Sequence, residues 1–435
     1  MKNLALHWRI LLGMVAGVVF ATALTQFEWG KDFIVDWIKP FGTIFINALK
    51  LIAIPLILAS LISGIADLNN ITQLSKMGFR TLAIYLATTV VAVSLGLAIV
   101  NIVQPGTAVT EETRTQLIAG YETEAGSRIK SAEQRKQSGP LKALEDLVPE
   151  NIVAAASANG NMLQVIVFAI FFGIGLILIP PDKAAPVKGF VVGLNEVVLK
   201  MIDLIMLAAP FGVFALLAAI VAEAPGTDLF IALLWYAFSV VLGLAILYFF
   251  YVLLVWVFTR RTPRFFLSGI APAQLLAFST SSSAATLPVT MERVTEHLGV
   301  DDDVASFVLP IGATVNMDGT SLYQAVAAVF IAQAFGMELS LGAQLGIILT
   351  ATLASIGSAA VPGAGMVMLV IVLAQAGIPE VGLALIFAID RPLDMCRTTI
   401  NVTGDATVSM LIAKSLGKLG DPVEKRWDDR IEEVI

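Results

Sequence analysis

Between Ala388 and Asp405 the chain sets Asp390, Arg391, Asp394, Arg397 and Asp405 in an otherwise apolar stretch. At roughly 100° per residue, Asp394, Arg397, Thr398, Asn401 and Asp405 fall within one arc of a helix. An ionised side chain at a bilayer centre costs about 2.5–3.5 kcal/mol even on the mild insertion scale. Such a stripe is compatible with a membrane fold only if it faces an ion path, a charged substrate, or both.

Composition makes the membrane setting compelling. Of the 435 residues, 57% are hydrophobic and only 14% charged, where a soluble domain carries about 25% charged residues. The net charge of −7 is uninformative, because topology follows Lys and Arg placement. A single cysteine, Cys396, excludes an intrachain disulfide framework, and two histidines, His7 and His297, argue against a His/Cys metal site or a Ser-His-Asp triad. No G-x-x-x-x-G-K-[ST] motif is present, so nothing points to ATP. An organic cofactor and a nucleic-acid partner are not expected.

Apolar runs near 10–25, 41–64, 81–103, 162–179, 190–221 and 229–258, followed by less regular ones near 304–335 and 383–413, give eight expected transmembrane helices. The first run is also compatible with a secretory signal, since Lys2 and Arg9 precede it and Ala21-Thr22-Ala23 ends it. Basic residues alternate: Lys2 and Arg9, Lys76 and Arg80, Lys183 and Lys188, Arg260, Arg261 and Arg264, then Lys414 and Lys418 share one side. That side is the cytoplasm, so a multi-pass plasma (bacterial inner) membrane protein with both termini cytoplasmic is expected. The polar segment 105–150 then becomes an external loop.

Two segments resist this scheme. Residues 265–297 contain Ser279 to Pro288, with four serines in five positions, and residues 339–378 contain the Gly/Ser-rich tip Ser355 to Gly365. Each is two apolar arms around a polar tip. Counting both as re-entrant hairpins, one from each face, preserves the basic alternation; irregular backbone at membrane depth must line a polar cavity or be buried in protein. Taken singly, a serine run is more often a helix-packing surface and a glycine run more often a plain loop; it is together with the charged stripe that they point to hairpins. Between them, Gly312-Ala313-Thr314-Val315-Asn316-Met317-Asp318-Gly319-Thr320 should interrupt a helix. The freed carbonyls, with Asn316 and Asp318, suit a small hard cation such as Na⁺.

Four motifs now coincide in order: the serine hairpin ending Thr286-Leu287-Pro288, Asn316-Met317-Asp318-Gly319-Thr320, Val361-Pro362-Gly363-Ala364-Gly365, and Asp394-x-x-Arg397-Thr398-x-x-Asn401-Val402-x-x-Asp405. Together they resemble the dicarboxylate/amino acid:cation symporter family, in the manner of a prokaryotic glutamate/aspartate transporter. The resemblance implies an all-α homotrimer in the lipid membrane, with inverted repeats and an elevator mechanism. It divides the chain into scaffold helices at 1–80 and 151–225, and a transport domain at 81–104 and 226–414. The external loop, 105–150, and a cytoplasmic tail, 415–435, complete it.

The resemblance also implies roles. Arg397 would hold the substrate's side-chain carboxylate, a contact suited to a guanidinium fork, and Asp394 its ammonium. Ser283, Thr320, Val361, Gly365, Thr398 and Asn401 would complete the pocket. One Na⁺ site would use Gly312, Asn316, Asn401 and Asp405; a second Thr314, Ser355, Ile356 and Ser358; a third Tyr85, Thr88, Thr89, Asn316 and Asp318. Having both Asp394 and Arg397 implies an acidic amino acid, L-aspartate or L-glutamate, taken up with Na⁺. A proton-coupled glutamate/aspartate or C4-dicarboxylate symporter of the same family is the alternative.

The sequence departs from the family pattern at three places. Ser281 and Met395 stand where relatives carry a second site arginine, and Arg391, three residues before Asp394 on the same face, is a candidate source of that charge, a replacement the sequence leaves open. Gln324 replaces a glutamate associated with K⁺ coupling, so no K⁺ counter-transport is expected. Pro392 sits within the last span. It either bends that helix or marks its entry. A channel and an intramembrane serine enzyme are the rivals from other classes. Arg397 makes little sense in a cation filter, and the serines lack a general base.

Overall fold

The computed structural model describes residues 6–66, 71–120, 148–157, 162–223, 228–356, 360 and 362–422. Among these the chain is all-α, and the only strand pairing is an isolated antiparallel bridge between Val300 and Leu419. The principal helices are α1 (Leu6–Leu24), α2 (Lys39–Ala66), α3 (Ile71–Val103), α4 (Met162–Leu178), α5 (Pro181–Glu223) and α6 (Asp228–Leu254). They continue as α7 (Pro263–Thr280), α8 (Ser283–Glu292), α9 (Asp302–Val315), α10 (Asp318–Ala334), α11 (Leu341–Ser355), α12 (Ala364–Ala376) and α13 (Leu383–Leu416).

Among the described residues, three helices are long and apolar enough to cross a membrane: Gly30–Ser63, Met77–Ala108 and Asp228–Thr259. A fourth crossing is added if Pro181–Ile202 and Leu207–Glu223, bent by 48°, count as one. This is a multi-pass membrane protein, but length and apolarity alone do not yield eight spans. The physical reasons are local. α13 carries the charged stripe, α9 and α10 are separated by a break at Asn316-Met317, and α11 and α12 are short apolar helices. The bend in α5 falls where Pro210 removes an amide donor and crowds the preceding turn.

Helices α1, α2 and α4 pack with α5 as one group, whereas α3 packs on α10 and α6, α7, α9 and α10 pack on α13. Gly13 and Gly17, one helical turn apart, let α1 lie on the α5 backbone. A Cβ at Gly17 would stand 2.6 Å from the Phe214 carbonyl oxygen, the close approach that small residues permit between membrane helices.

The expected hairpin regions hold paired helices. α7 starts with Thr262, whose hydroxyl accepts from the Phe265 amide, and Pro263 at its first position. The chain leaves α7 through Ser281 in the left-handed region (φ 52), and Ser282 caps α8, accepting from the Ala285 amide. α7 packs on α8, and α11 on α12. Pro392 does not interrupt α13. Within the 105–150 segment the described residues include a 3₁₀ turn, Pro105–Ala108, and a helix, Glu111–Gly120. Asp228 secures its start by accepting from the Thr110 amide at 2.7 Å and the Thr113 hydroxyl at 3.1 Å.

Candidate functional site

The break between α9 and α10 organises a layer of acids. α9 stops at Val315, Asn316 and Met317 leave helical geometry, and Asp318 begins α10. The Gly319 amide, an orphan donor of the new helix, is taken by Asn401 Oδ1 at 2.8 Å. Asp318 is fully buried and accepts from the Thr89 hydroxyl at 2.5 Å and from the Tyr251 hydroxyl. Asp405, 3% exposed, accepts from Asn316 Nδ2 at 3.0 Å. A Cβ on Gly312 would collide with Asp405 Oδ1 and the Tyr85 hydroxyl, so this glycine is what allows the carboxylate to approach α9.

The partners of these two carboxylates are hydroxyls and an amide; none is a base. Burying an uncompensated charge is costly, so ionised carboxylates in this layer would need a bound cation, and protonation would remove the same cost. Among the described residues no group of three or more His, Cys, Asp or Glu could hold a metal ion. Hydroxyls, amides and carboxylates are hard oxygen donors, suited to Na⁺ rather than to a soft transition metal.

The second layer is charge-balanced. Arg397, fully buried, donates through Nη1 to Asp390 at 2.8 Å and through Nη2 to Asp394 at 2.7 Å, and its guanidinium lies 3.8 Å from the Tyr323 ring centroid. Arg391 Nη1 reaches Asp394 Oδ2 at 3.2 Å, so a second guanidinium stands one helical turn from the first acid of the stripe motif. The Gly363 amide, at the start of α12, donates to the same oxygen at 3.2 Å. Two arginines thus face two aspartates, and α12 points its free amide end at one of them.

The other expected site residues gather unevenly. Asn401 Nδ2 donates to Thr320 Oγ1 at 3.2 Å, joining the two layers. Gly365 adjoins Thr320 and Arg397, since a Cβ there would meet Thr320 Cγ2 at 3.1 Å and Arg397 Nη2 at 3.3 Å. Thr398 turns its hydroxyl back to the Asp394 carbonyl at 2.9 Å, and Ser283 is buried in the first turn of α8. Tyr85 donates to the Val308 carbonyl at 3.0 Å, while Thr88 Oγ1 lies 3.5 Å from Asn316 Oδ1. Ser355 donates to the Val315 carbonyl at 3.1 Å, which brings the end of α11 to the end of α9. Ile356 is half-buried, and Thr314 is exposed with its hydroxyl bonded within its own helix. Ser358 and Val361 lie outside the described residues.

Sequence reasoning missed several members. Asp390, two turns before Arg397, completes its ion pairing. Tyr251 and Tyr323 sit in apolar runs where nothing marks them as polar contacts. The tips of the two hairpin regions also meet, because Ser282 donates to the Ala360 carbonyl at 2.7 Å. A serine run gives no hint of that partner.

Comparison with known proteins follows the same lines. The profile of the sodium:dicarboxylate symporter family matches residues 6–415. The proton/glutamate-aspartate symporter of Escherichia coli (strain K12) is 36% identical over 95% of this chain and 94% of its own length. The proton/sodium-glutamate symport protein of Geobacillus stearothermophilus is 32% identical over the full length of both chains. Human excitatory amino acid transporter 5 is 36% identical over 86% of this chain and 75% of its own. With its charged stripe, its helix break and this full-length similarity, the chain belongs to the sodium:dicarboxylate symporter family and is a transporter rather than an enzyme.

Proposed function

We propose that the protein is a secondary symporter that takes up L-aspartate and/or L-glutamate with Na⁺. The observation that carries this reading is the contrast between the two buried layers. Arg397 and Asp394 offer a fork for a carboxylate and an acid for an ammonium, in a layer that is neutral overall. Asp318 and Asp405 stand beside it with only neutral partners. Co-transported cations would supply the missing positive charge in a low dielectric.

In this reading the substrate's side-chain carboxylate takes the Arg397 fork and its ammonium takes Asp394, exchanging internal ion pairs for substrate contacts. Thr320, Asn401, Gly365, Thr398, Ser283 and Val361 line the remainder. One Na⁺ lies with Gly312, Asn316, Asn401 and Asp405, and another with Tyr85, Thr88, Thr89, Asn316 and Asp318. A third joins Thr314 to Ser355, Ile356 and Ser358, so closing the α11–α12 tip completes an ion site, a physical route to coupling.

The scaffold is 1–80 and 151–225, and the moving body is 81–104 and 226–414, in a homotrimer of eight-span protomers with two opposed hairpins and inverted repeats. The separate packing of α1, α2, α4 and α5, and of α6, α7, α9 and α10 around α13, supports that division. Both termini are placed in the cytoplasm and the protein in the plasma (bacterial inner) membrane. The E. coli relative is named a proton symporter, which favours proton coupling as the second reading, with a C4-dicarboxylate as its alternative substrate.

Competition in proteoliposomes tests the substrate. Labelled L-aspartate uptake should be suppressed by excess L-aspartate or L-glutamate and only weakly by succinate or L-serine. Suppression by succinate at equal concentration would contradict the role of Asp394.

A further inference from the structure

At the end of α13 the helix closes with Gly417 in the left-handed region (φ 71), and the Lys418 amide bonds back to the Ala413 carbonyl at 2.8 Å. That turn sends residues 418–421 alongside the turn that joins α8 to α9. There Gly299, also left-handed (φ 75), redirects the chain. The two segments pair: the Gly420 amide donates to the Gly299 carbonyl at 2.8 Å and the Asp301 amide to the Lys418 carbonyl at 3.1 Å. These bonds flank Val300 and Leu419, which therefore form a non-hydrogen-bonded antiparallel pair, with side chains close together on one face. Val300 is buried in the core formed by α7, α9 and α13, and Leu419 packs against it.

Charged contacts secure the pairing on its exposed side. Lys418 Nζ reaches Asp301 at 2.9 Å and Asp303 at 2.8 Å. Arg261, just past α6, donates through Nη2 to the Gly420 carbonyl at 2.7 Å and to Asp421 at 2.9 Å. Arg80, on α3, lies 3.3 Å from the Ser415 hydroxyl. The post-α13 segment thus meets three breaks in the helical body: the end of α6, the base of the α7–α8 hairpin and the start of α9. The far end of that hairpin is held separately, by Ser282 on Ala360.

We propose that Lys418–Asp421 is a strap that clamps the base of the α7–α8 hairpin to α13 and stays closed while substrate is carried. Resting on the transport reading above, it makes α6, α7, α8, α9 and α13 move as one piece, so that α7–α8 cannot shift along α13 independently. No residue of the strap touches either buried layer.

Two arms test it in the full chain. First, hydrogen exchange is measured on an Arg261→Ala/Lys418→Ala variant. Exchange in residues 293–303 should rise at least tenfold, while α10 keeps its protection. Unchanged exchange at 293–303 overturns the clamp. Second, Val300→Cys and Leu419→Cys are combined with Cys396→Ala, and the pair is oxidised; antiparallel neighbours of this kind have the spacing a disulfide needs. Uptake should stay within twofold of the reduced protein. A loss of uptake on oxidation, reversed by reductant, overturns the claim that the strap stays closed. Hydrogen exchange needs no transport, so failure of the strap is distinguishable from failure of the transport reading, which would appear as no uptake by the unaltered protein.

Discussion

Asp405→Asn isolates charge from shape. Asp405 is buried beside Gly312 and takes a 3.0 Å hydrogen bond from Asn316 Nδ2. An asparagine of the same size can still accept that bond through its own oxygen, so the packing against Gly312 and Tyr85 should survive. What disappears is one negative charge. Two unit charges about 4 Å apart interact by about 4 kcal/mol at an effective dielectric of 20. The asparagine oxygen remains a ligand and retains part of this, leaving a loss of about 2–3 kcal/mol. At about 1.4 kcal/mol per decade, Na⁺ affinity should weaken roughly 30- to 150-fold. The assay is the Na⁺ dependence of labelled L-aspartate uptake in proteoliposomes, with Asp318→Asn as a parallel variant. The half-saturating Na⁺ concentration should rise by that factor while the protein purifies as before. A value within threefold of the unaltered protein would refute the assignment of Asp405 to a sodium site.

Further expectations concern other layers. Arg397→Lys removes the fork that spans Asp390 and Asp394 and should raise the apparent KM for aspartate at least 100-fold, read from uptake kinetics; a shift below fivefold would remove Arg397 from substrate binding. Gly17→Val drives a side chain into the Phe214 backbone and should cost about 1–3 kcal/mol, read as a lowered unfolding midpoint in detergent. The strap should be insensitive to pH between about 5 and 9. The Lys418 hydrogen bond holds Asp301 below its ordinary value of 3.8, so that contribution is present above 3.8 and is lost as pH falls further. Asp303 and Asp301 hold Lys418 above 10.5, so its contribution is present below 10.5 and is lost only as pH rises past it. A spin label on Leu419→Cys, in the Cys396→Ala background, should stay immobile across that window and loosen only outside it.

The parts that could be read from sequence are those where polarity breaks an apolar run. Asn316, Asp318 and the flanking glycines announced the interruption between α9 and α10, and it stands at Asn316-Met317. The serine run and the Ser355–Gly365 tip bounded the paired helices within a few residues. Arg391 beside Asp394 followed from helical spacing alone. What escaped was set by tertiary proximity. Tyr251 and Tyr323 look like ordinary apolar-run residues until packing puts one against Asp318 and the other under Arg397. Gly13 and Gly17 have the spacing of a close-packing pair, but spacing alone does not name the partner, which is the α5 backbone at Pro210 and Phe214. The helical start of α5 at Pro181 was also hidden, because Lys183 and Lys188 read as the end of a span rather than as residues within a helix. Asp390 was visible as a charge, but its partner was set two turns away.

The most direct test of the central claim is labelled L-aspartate uptake by purified protein in liposomes, under an inward Na⁺ gradient and then under a proton gradient without Na⁺. Uptake that requires Na⁺ is the predicted result. Uptake driven by protons alone would keep the protein in its family and contradict the sodium sites built on Asp318 and Asp405.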